Sequence, residues 1–450
     1  MSAPLALRPY QLAAIADVYQ AFRDGAESVC LQLPTGGGKT HTAAGGVIGP
    51  TVARGNRVLF IADLEEILLD TDKRLRAMGL PVGLILDGKA LDPEAPVQVA
   101  SQQTLAAWQK RGAALPPCNR VILDECHIAG ASTVRWMLGA LRERGAKLLG
   151  LTATPSRGDG QALDEFQRLV VGPQPRELVE AGALVPCEVF SPPGAQDGCA
   201  MDPVDAVRLF ASDRRAIVFA TTDAEATRIT ADLNRMGQPS MLVLGKTKKA
   251  ERRAARDRLA AGDVRHLVTV RALQKGFDAP LIDTIVLTTP CTLTDYLQRV
   301  GRGVRPSPAT GKTSALVVDL RGAVYVHGLP LDDRQWTLSG RQGRETLPNL
   351  RRCLDCHAIF PPARRCPRCG SCRMTDPRPL RIQQAELIAQ SGVPASVRAE
   401  AHVQQRTSVL LRMKPRLTSS QARFAALVAA PAWVREALNF SHQEVRRAAR

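Results

Sequence analysis

A chain of 450 residues is too long for one ordinary core and long enough for two α/β domains with an appendage. Apolar residues at 45% and charged residues at 23% exclude a disordered chain, and a net charge of +17 points to polyanionic partners, nucleic acid before membrane. The charge is lopsided, because eighteen Lys and Arg against six Asp and Glu lie between residues 351 and 450, while the first 350 residues carry only +5.

No stretch approaches the roughly 18 apolar residues that a membrane span needs, and the start from Met1 to Gln11 has no apolar signal region, so a cytoplasmic protein without a membrane partner is expected. In that reducing setting disulfides are not expected. Of the eleven cysteines, six stand singly upstream of Arg351 and five crowd between Cys353 and Cys372, which reads as a metal site.

In chain order, short β-branched or leucine-rich runs at 28–33, 57–62, 97–100, 120–123 and 147–151 alternate with helical stretches, the rhythm of a parallel sheet wrapped by helices. The rhythm restarts at 216–219 and continues at 240–244, 266–270, 284–288 and 314–319, so two copies of one architecture are expected. A Pro/Gly-rich stretch at 172–198 reads as the connection between them. Polar, Gly-containing sequence at 321–350 leads into the cysteine cluster, and after Met374 the pattern is helical and Arg-rich.

The first run passes directly into Pro34-Thr35-Gly36-Gly37-Gly38-Lys39-Thr40, a strand, a glycine-rich turn and a helix start. Such a turn lets backbone N–H groups curl around phosphates, Lys39 neutralises β/γ-phosphate charge, and Thr40 offers a hydroxyl to Mg2+. The run at 120–123 ends in Asp124-Glu125-Cys126-His127, two carboxylates at the C-terminal end of a strand, where α/β sheets bind ligands. Asp124 is placed to hold Mg2+ and Glu125 to polarise a water attacking the γ-phosphate.

The remaining segments resemble, in order, the motifs of superfamily 2 DEAD/DEAH-box helicases. Leu7-Arg8-Pro9-Tyr10-Gln11 is similar to the adenine-reading Q segment, Val99-Ala100-Ser101-Gln102-Gln103-Thr104-Leu105 to motif Ib, and Leu151-Thr152-Ala153-Thr154-Pro155 to motif III. Gly276-Phe277-Asp278-Ala279-Pro280 resembles motif V, and Tyr296-Leu297-Gln298-Arg299-Val300-Gly301-Arg302-Gly303-Val304-Arg305 resembles motif VI. The DECH box, the GFDAP segment, the Q-x-V-G-R-G-x-R motif and the trailing cysteines together resemble the RadD-like bacterial and phage group, as does the stretch from His327-Gly328-Leu329-Pro330 to Trp336.

That resemblance implies two tandem RecA-like P-loop domains, parallel sheets with flanking helices, at 1–172 and 200–322, joined by a linker at 173–199. A connector at 323–350, a small zinc ribbon at 351–373 and a helical basic tail at 374–450 follow. It implies an ATP hydrolase of the DNA helicase type, acting in repair, recombination or replication, with an RNA-directed ATPase or a weakly coupled nucleic-acid-binding scaffold as alternatives. Arg302 and Arg305 become arginine fingers, and Arg8, Gln11, His127, Asp278 and Gln298 join the P-loop in holding the nucleotide.

The chain departs from the family at motif Ia, where Ala62-Asp63-Leu64-Glu65-Glu66-Ile67-Leu68 stands against A-H-R-x-E-L and the basic phosphate contact becomes acidic and apolar at Asp63 and Leu64, and at motif V, where Gln274-Lys275 precedes the glycine. Cys353-x-x-Cys356 and Cys366-x-x-Cys369 have the spacing of two knuckles converging on tetrahedral Zn2+, with Cys372 and His357 as alternative ligands. Six arginines, at 351, 352, 364, 365, 368 and 373, surround that module at a density suited to phosphate contact. Aromatic residues are only 4% of the chain, so backbone reading is expected over base stacking.

Overall fold

The computed structural model describes residues 6–157, 161–191, 201–273, 279–339 and 350–375, all within the compact unit that runs from Met1 to Pro377. The region read as a helical basic tail lies outside the described residues from residue 376 on, while its first two residues, Met374 and Thr375, form a strand and not a helix. The segment Gln274 to Asp278 also lies outside the described residues.

Strands Ser28–Gln32 (β1), Val58–Ala62 (β2), Val82–Leu86 (β3), Lys89–Leu91 (β4), Val97–Ser101 (β5), Arg120–Asp124 (β6), Lys147–Thr152 (β7) and Arg168–Val171 (β8) form the first sheet. Their order is β4-β3-β5-β2-β6-β7-β1-β8, parallel throughout except for β4 against β3. Every residue of β1, β2 and β5 is buried, the signature of a parallel sheet covered on both faces. Successive residues alternate between two core layers: Val29, Leu31 and Phe60 face one, while Cys30, Leu59 and Ile61 face the other.

The second sheet repeats the plan with Cys187–Phe190 (β9), Ala216–Phe219 (β10), Ser240–Leu242 (β11), His266–Thr269 (β12), Thr284–Leu287 (β13) and Ala315–Asp319 (β14). These run parallel in the order β11-β12-β10-β13-β14-β9. All ten runs expected from the sequence are strands. Unforeseen are β3, β4 and β8, and also β9, which lies with the helix Pro175–Glu180 inside the stretch read as a linker. Only Val189 and Phe190 of β9 are buried, too short a run to stand out from its Pro-rich surroundings.

Arg351–Cys353 (β15), Ala358–Phe360 (β16) and Met374–Thr375 (β17) carry the cysteine module. Strand β16 pairs antiparallel with β9, so the module extends the second sheet in the order β14-β9-β16-β15-β17. Cys353, Cys366, Ala358 and Phe360 share a core cluster with Phe190, Val218 and Val318.

Past β14 the chain makes the helix Ala323–His327 and then returns to the first sheet. Leu163 N–H donates to Leu338 O at 2.8 Å, and Arg334 N–H to Gln174 Oε1 at 3.1 Å. The Arg334 guanidinium donates to the carbonyls of His327, Leu329 and Asp332, which holds this return segment in shape. No helix among the described residues is long and apolar enough to cross a membrane.

Candidate active site

Sheet register brings the sequence motifs together. Gln32 at the end of β1 lies beside Thr152 of β7, and Asp124 of β6 beside Leu151, so the glycine-rich turn, the carboxylate pair and the Thr152-to-Pro155 segment leave the sheet at one edge. In the turn, Gly36 and Gly38 take φ of 92° and 84°, a left-handed conformation open to glycine, and a helical stretch begins at Lys39. Tyr10 Oη and Gln11 Nε2 both donate to Gly37 O, at 3.2 and 3.4 Å, and Arg8 N–H donates to Gln11 Oε1 at 2.9 Å. The helix Pro9–Arg23 thereby braces the turn. Within the Q segment the sequence gives roles to Arg8 and Gln11 but none to Tyr10, because one tyrosine beside a glutamine carries no pattern of its own.

Lys39 Nζ stands 3.7 Å from Glu125 Oε1, with both side chains about nine-tenths covered. His127 Nδ1 lies 3.3 Å from Glu125 Oε2 and 3.4 Å from Thr152 Oγ1, whose hydroxyl donates to Thr154 O at 3.0 Å. Burial first, and then the neighbouring Glu125 charge, push the Asp124 carboxyl up to about 7, with Lys39 opposing. Asp124 Oδ1 has no hydrogen-bond partner among the described residues. A buried carboxylate oxygen in that state, with the Thr40 hydroxyl lining the same cleft, is a hard-oxygen donor set of the kind Mg2+ takes.

The second sheet closes the other side. The helix Leu293–Gly303 delivers Gln298, whose Nε2 donates to Glu125 Oε2 at 3.4 Å. Gly301 on that helix packs on the turn so closely that a Cβ there would collide with Thr35. Arg302 and Arg305 line a solvent-open cleft of about 1510 Å³ together with Arg8, Gln11, Lys39 and Asp124, and Arg305 lies beside Gly36. Of the sequence-derived site residues, Asp278 lies outside the described residues.

Motif Ia carries ion pairs between the two sheets. Glu65 pairs with Lys249 and Glu66 with Arg252, the latter at 2.8 Å, joining the start of the helix Glu65–Ala77 to the helix Lys249–Ala261 of the second sheet. Residues 184 and 186 positions apart in the chain give no sequence signal of such pairing.

The four cysteines of the two knuckles converge. Cys353 Sγ lies 3.5 Å from Cys369 Sγ and Cys356 Sγ 3.6 Å from Cys366 Sγ, with all four sulfurs within 4.8 Å. Tetrahedral Zn–S bonds of about 2.3 Å would set sulfurs about 3.8 Å apart, so the cluster is compatible with zinc. The two turns match: His357 N–H donates to Cys353 O and Gly370 N–H to Cys366 O, and both residues take a left-handed φ, 61° and 75°. The sulfur of Cys372 and the ring of His357 are not part of the convergent set.

The surrounding arginines are partly engaged within the protein. Arg368 lies 4.2 Å over the Phe190 ring and 3.5 Å from Glu188, and Arg373 pairs with Asp355 at 2.8 Å. Arg364 and Arg365 are exposed.

A P-loop sheet whose carboxylates face arginines from a second sheet of the same plan defines a tandem NTPase core. Residues 4–157 match the family described as type III restriction enzyme, res subunit, and residues 203–307 match the helicase conserved C-terminal domain, together more than half of the chain. The chain belongs to the superfamily 2 helicases, ATP-hydrolysing enzymes that act on nucleic acid.

It is similar to the ATP-dependent RNA helicase DBP3 of Yarrowia lipolytica, 23% identical over 310 residues that cover 63% of this chain and 57% of that protein. It is also similar to the type I restriction enzyme EcoAI endonuclease subunit of Escherichia coli, 30% identical over 196 residues covering 40% of this chain and 24% of that protein. In fold it resembles the ATP-dependent type ISP restriction-modification enzyme LlaBIII bound to DNA, with a TM-score of 0.53, 18% identity, and 70% of this chain and 27% of that chain covered. The chain spans between 16% and 60% of the length of eight curated relatives it matches.

Proposed function

We propose that the chain is an ATP-driven motor that acts on DNA in preference to RNA. The observation that carries this reading is the meeting of Lys39, Asp124 and Glu125 with Gln298, Arg302 and Arg305 around one cleft. Lys39 would neutralise β/γ-phosphate charge. Glu125, held between Lys39, His127 and Gln298, would orient the attacking water in line with the leaving group. Arg302 and Arg305 would stabilise the charge that develops on the transferred phosphoryl group. Thr40 and Asp124 would hold Mg2+, which supplies charge neutralisation on the phosphates. Arg8 and Gln11 would read the adenine.

Because the two halves of the site sit on different sheets, bound ATP favours their approach and hydrolysis releases it, and a polymer held across both would be moved by that cycle. Preference for DNA is supported by the match to the restriction-enzyme family and by the resemblance of the DECH box, the GFDAP segment and the trailing cysteines to the RadD-like group. Cys353, Cys356, Cys366 and Cys369 would hold a structural Zn2+.

Steady-state ATP hydrolysis with no polymer, single-stranded DNA, duplex DNA or RNA tests this reading. DNA should stimulate the wild-type chain more than RNA. Lys39→Ala should abolish turnover, and Glu125→Gln should lower it at least about a hundredfold while ATP still binds. Stimulation by RNA alone would move the substrate to RNA, and near-wild-type turnover in Glu125→Gln sinks the catalytic assignment.

A further inference from the structure

Lys312 belongs to none of the motifs above. It sits on the turn between the helix Leu293–Gly303 and β14, half-buried, and its ammonium donates to three backbone carbonyls: Ile282 O at 2.7 Å, Pro280 O at 2.8 Å and Gly303 O at 2.9 Å. An ammonium has three N–H donors, so all three are used, and they are used on two separate segments.

Gly303 ends the helix that carries Gln298 and Arg302, and its carbonyl is one of those that a helix end leaves without an intrahelical partner. A cation there also suits the negative end of the helix. Arg305 follows two residues later. Pro280 forms part of the cleft wall next to Arg302 and Arg305, and Ile282 leads into β13. One side chain thus fastens the C-terminal end of the arginine-bearing helix to the loop that walls the cleft.

We propose that Lys312 is a positioning residue for phosphoryl transfer, its three-carbonyl clasp holding Arg302 and Arg305 in register with the phosphates. This rests on the ATPase reading above. A lost clasp lets the arginine-bearing segment drift, and a shift of about an ångström in a charge-stabilising group costs turnover more than it costs nucleotide affinity. The charged groups facing the ammonium are Asp283, itself 3.8 Å from Arg214, and Arg305. Burial brings the Lys312 ammonium down to about 8, with Asp283 opposing the drop and Arg305 adding to it. Deprotonation would remove the charge and one N–H donor from the clasp.

The test measures kcat and KM for ATP on the full chain with Mg2+ and saturating single-stranded DNA, for wild type, Lys312→Gln and Lys312→Met. The variants should keep KM within about threefold while kcat falls about tenfold or more in Lys312→Met and less in Lys312→Gln, which retains two N–H donors. Wild-type kcat should also decline as pH rises through about 8, while its melting midpoint does not fall with it, since a depressed lysine pKa makes folding more favourable over that range. An active wild type with variants within twofold in kcat, or with KM raised and kcat intact, overturns the assignment. If neither variant folds, a wild-type kcat that stays level from pH 7 to 9.5 overturns it instead. A wild type without any ATPase overturns the functional reading beneath it, a result distinct from either.

Discussion

Glu125 takes φ of 48°, a left-handed conformation that costs a side-chain-bearing residue on the order of 1 kcal/mol. The strain turns the chain sharply after β6 and aims the carboxylate at Lys39, and the pairings with Lys39, His127 and Gln298 hold it there. His266 shows a different kind of tension. It is fully buried in β12, its Nε2 is 3.1 Å from Gln238 Oε1, and Nδ1 has no partner among the described residues. Burial, with Arg265 adding to it, lowers its pKa to about 4. The unfolded chain takes up a proton near 6.5 and the folded one only near 4, so the contribution of neutral His266 is complete above pH 6.5 and is lost as pH falls toward 4. The full effect is roughly 3 kcal/mol. Melting midpoints between pH 7 and 4.5 should therefore fall less steeply for His266→Leu than for wild type, and parallel curves would place the acid sensitivity elsewhere.

At the scale of elements, the cysteine module is an extension of the second sheet. Sequence reading separates it from the sheet, because the Cys-x-x-Cys spacing is complete in itself and gives no sign that β16 pairs with β9. The packing of Cys353, Cys366 and Phe360 against Phe190 means that the module covers the β9 edge and part of the core. A chain ending at residue 350 would lose that cover and uncover a strand edge, so it should lose stability as well as charge. Chelation, or Cys353→Ala, should lower the melting midpoint by several degrees and promote aggregation, with zinc restoring the chelated wild type. An unchanged midpoint after verified metal removal would mean that apolar packing alone holds these strands.

At the scale of the whole molecule, the acidic motif Ia and the basic helix Lys249–Ala261 tie the two sheets together. Partly exposed ion pairs contribute up to about 1 kcal/mol each, enough to shift a two-state closure about fivefold. Glu66→Gln should lower polymer-free ATPase by about that factor at low salt, and added salt should lower the wild type toward the variant. Equal polymer-free rates at every salt concentration would exclude a closing role. Residues 378–450 carry twelve Lys and Arg against four Asp and Glu. Ending the chain at Pro377 keeps both sheets and the cysteine cluster, so polymer-free ATPase should persist while DNA binding weakens with a shallower salt slope. Equal slopes would show that those arginines do not touch the phosphate backbone.

The sequence by itself determined the parts whose chemistry is local. Pro34 to Thr40, Asp124 to His127, Gln298 to Arg305 and the paired Cys-x-x-Cys turns each carry their geometry in a few adjacent residues, and the doubled strand rhythm announced two sheets of one plan. Only the tertiary structure decided that Glu65 and Glu66 face Lys249 and Arg252, that Lys312 clasps two segments at the cleft, that β9 belongs to a sheet and that the cysteine strands continue it. Those contacts are set by how buried layers pack, and packing brings together residues whose separation along the chain leaves no local pattern to read.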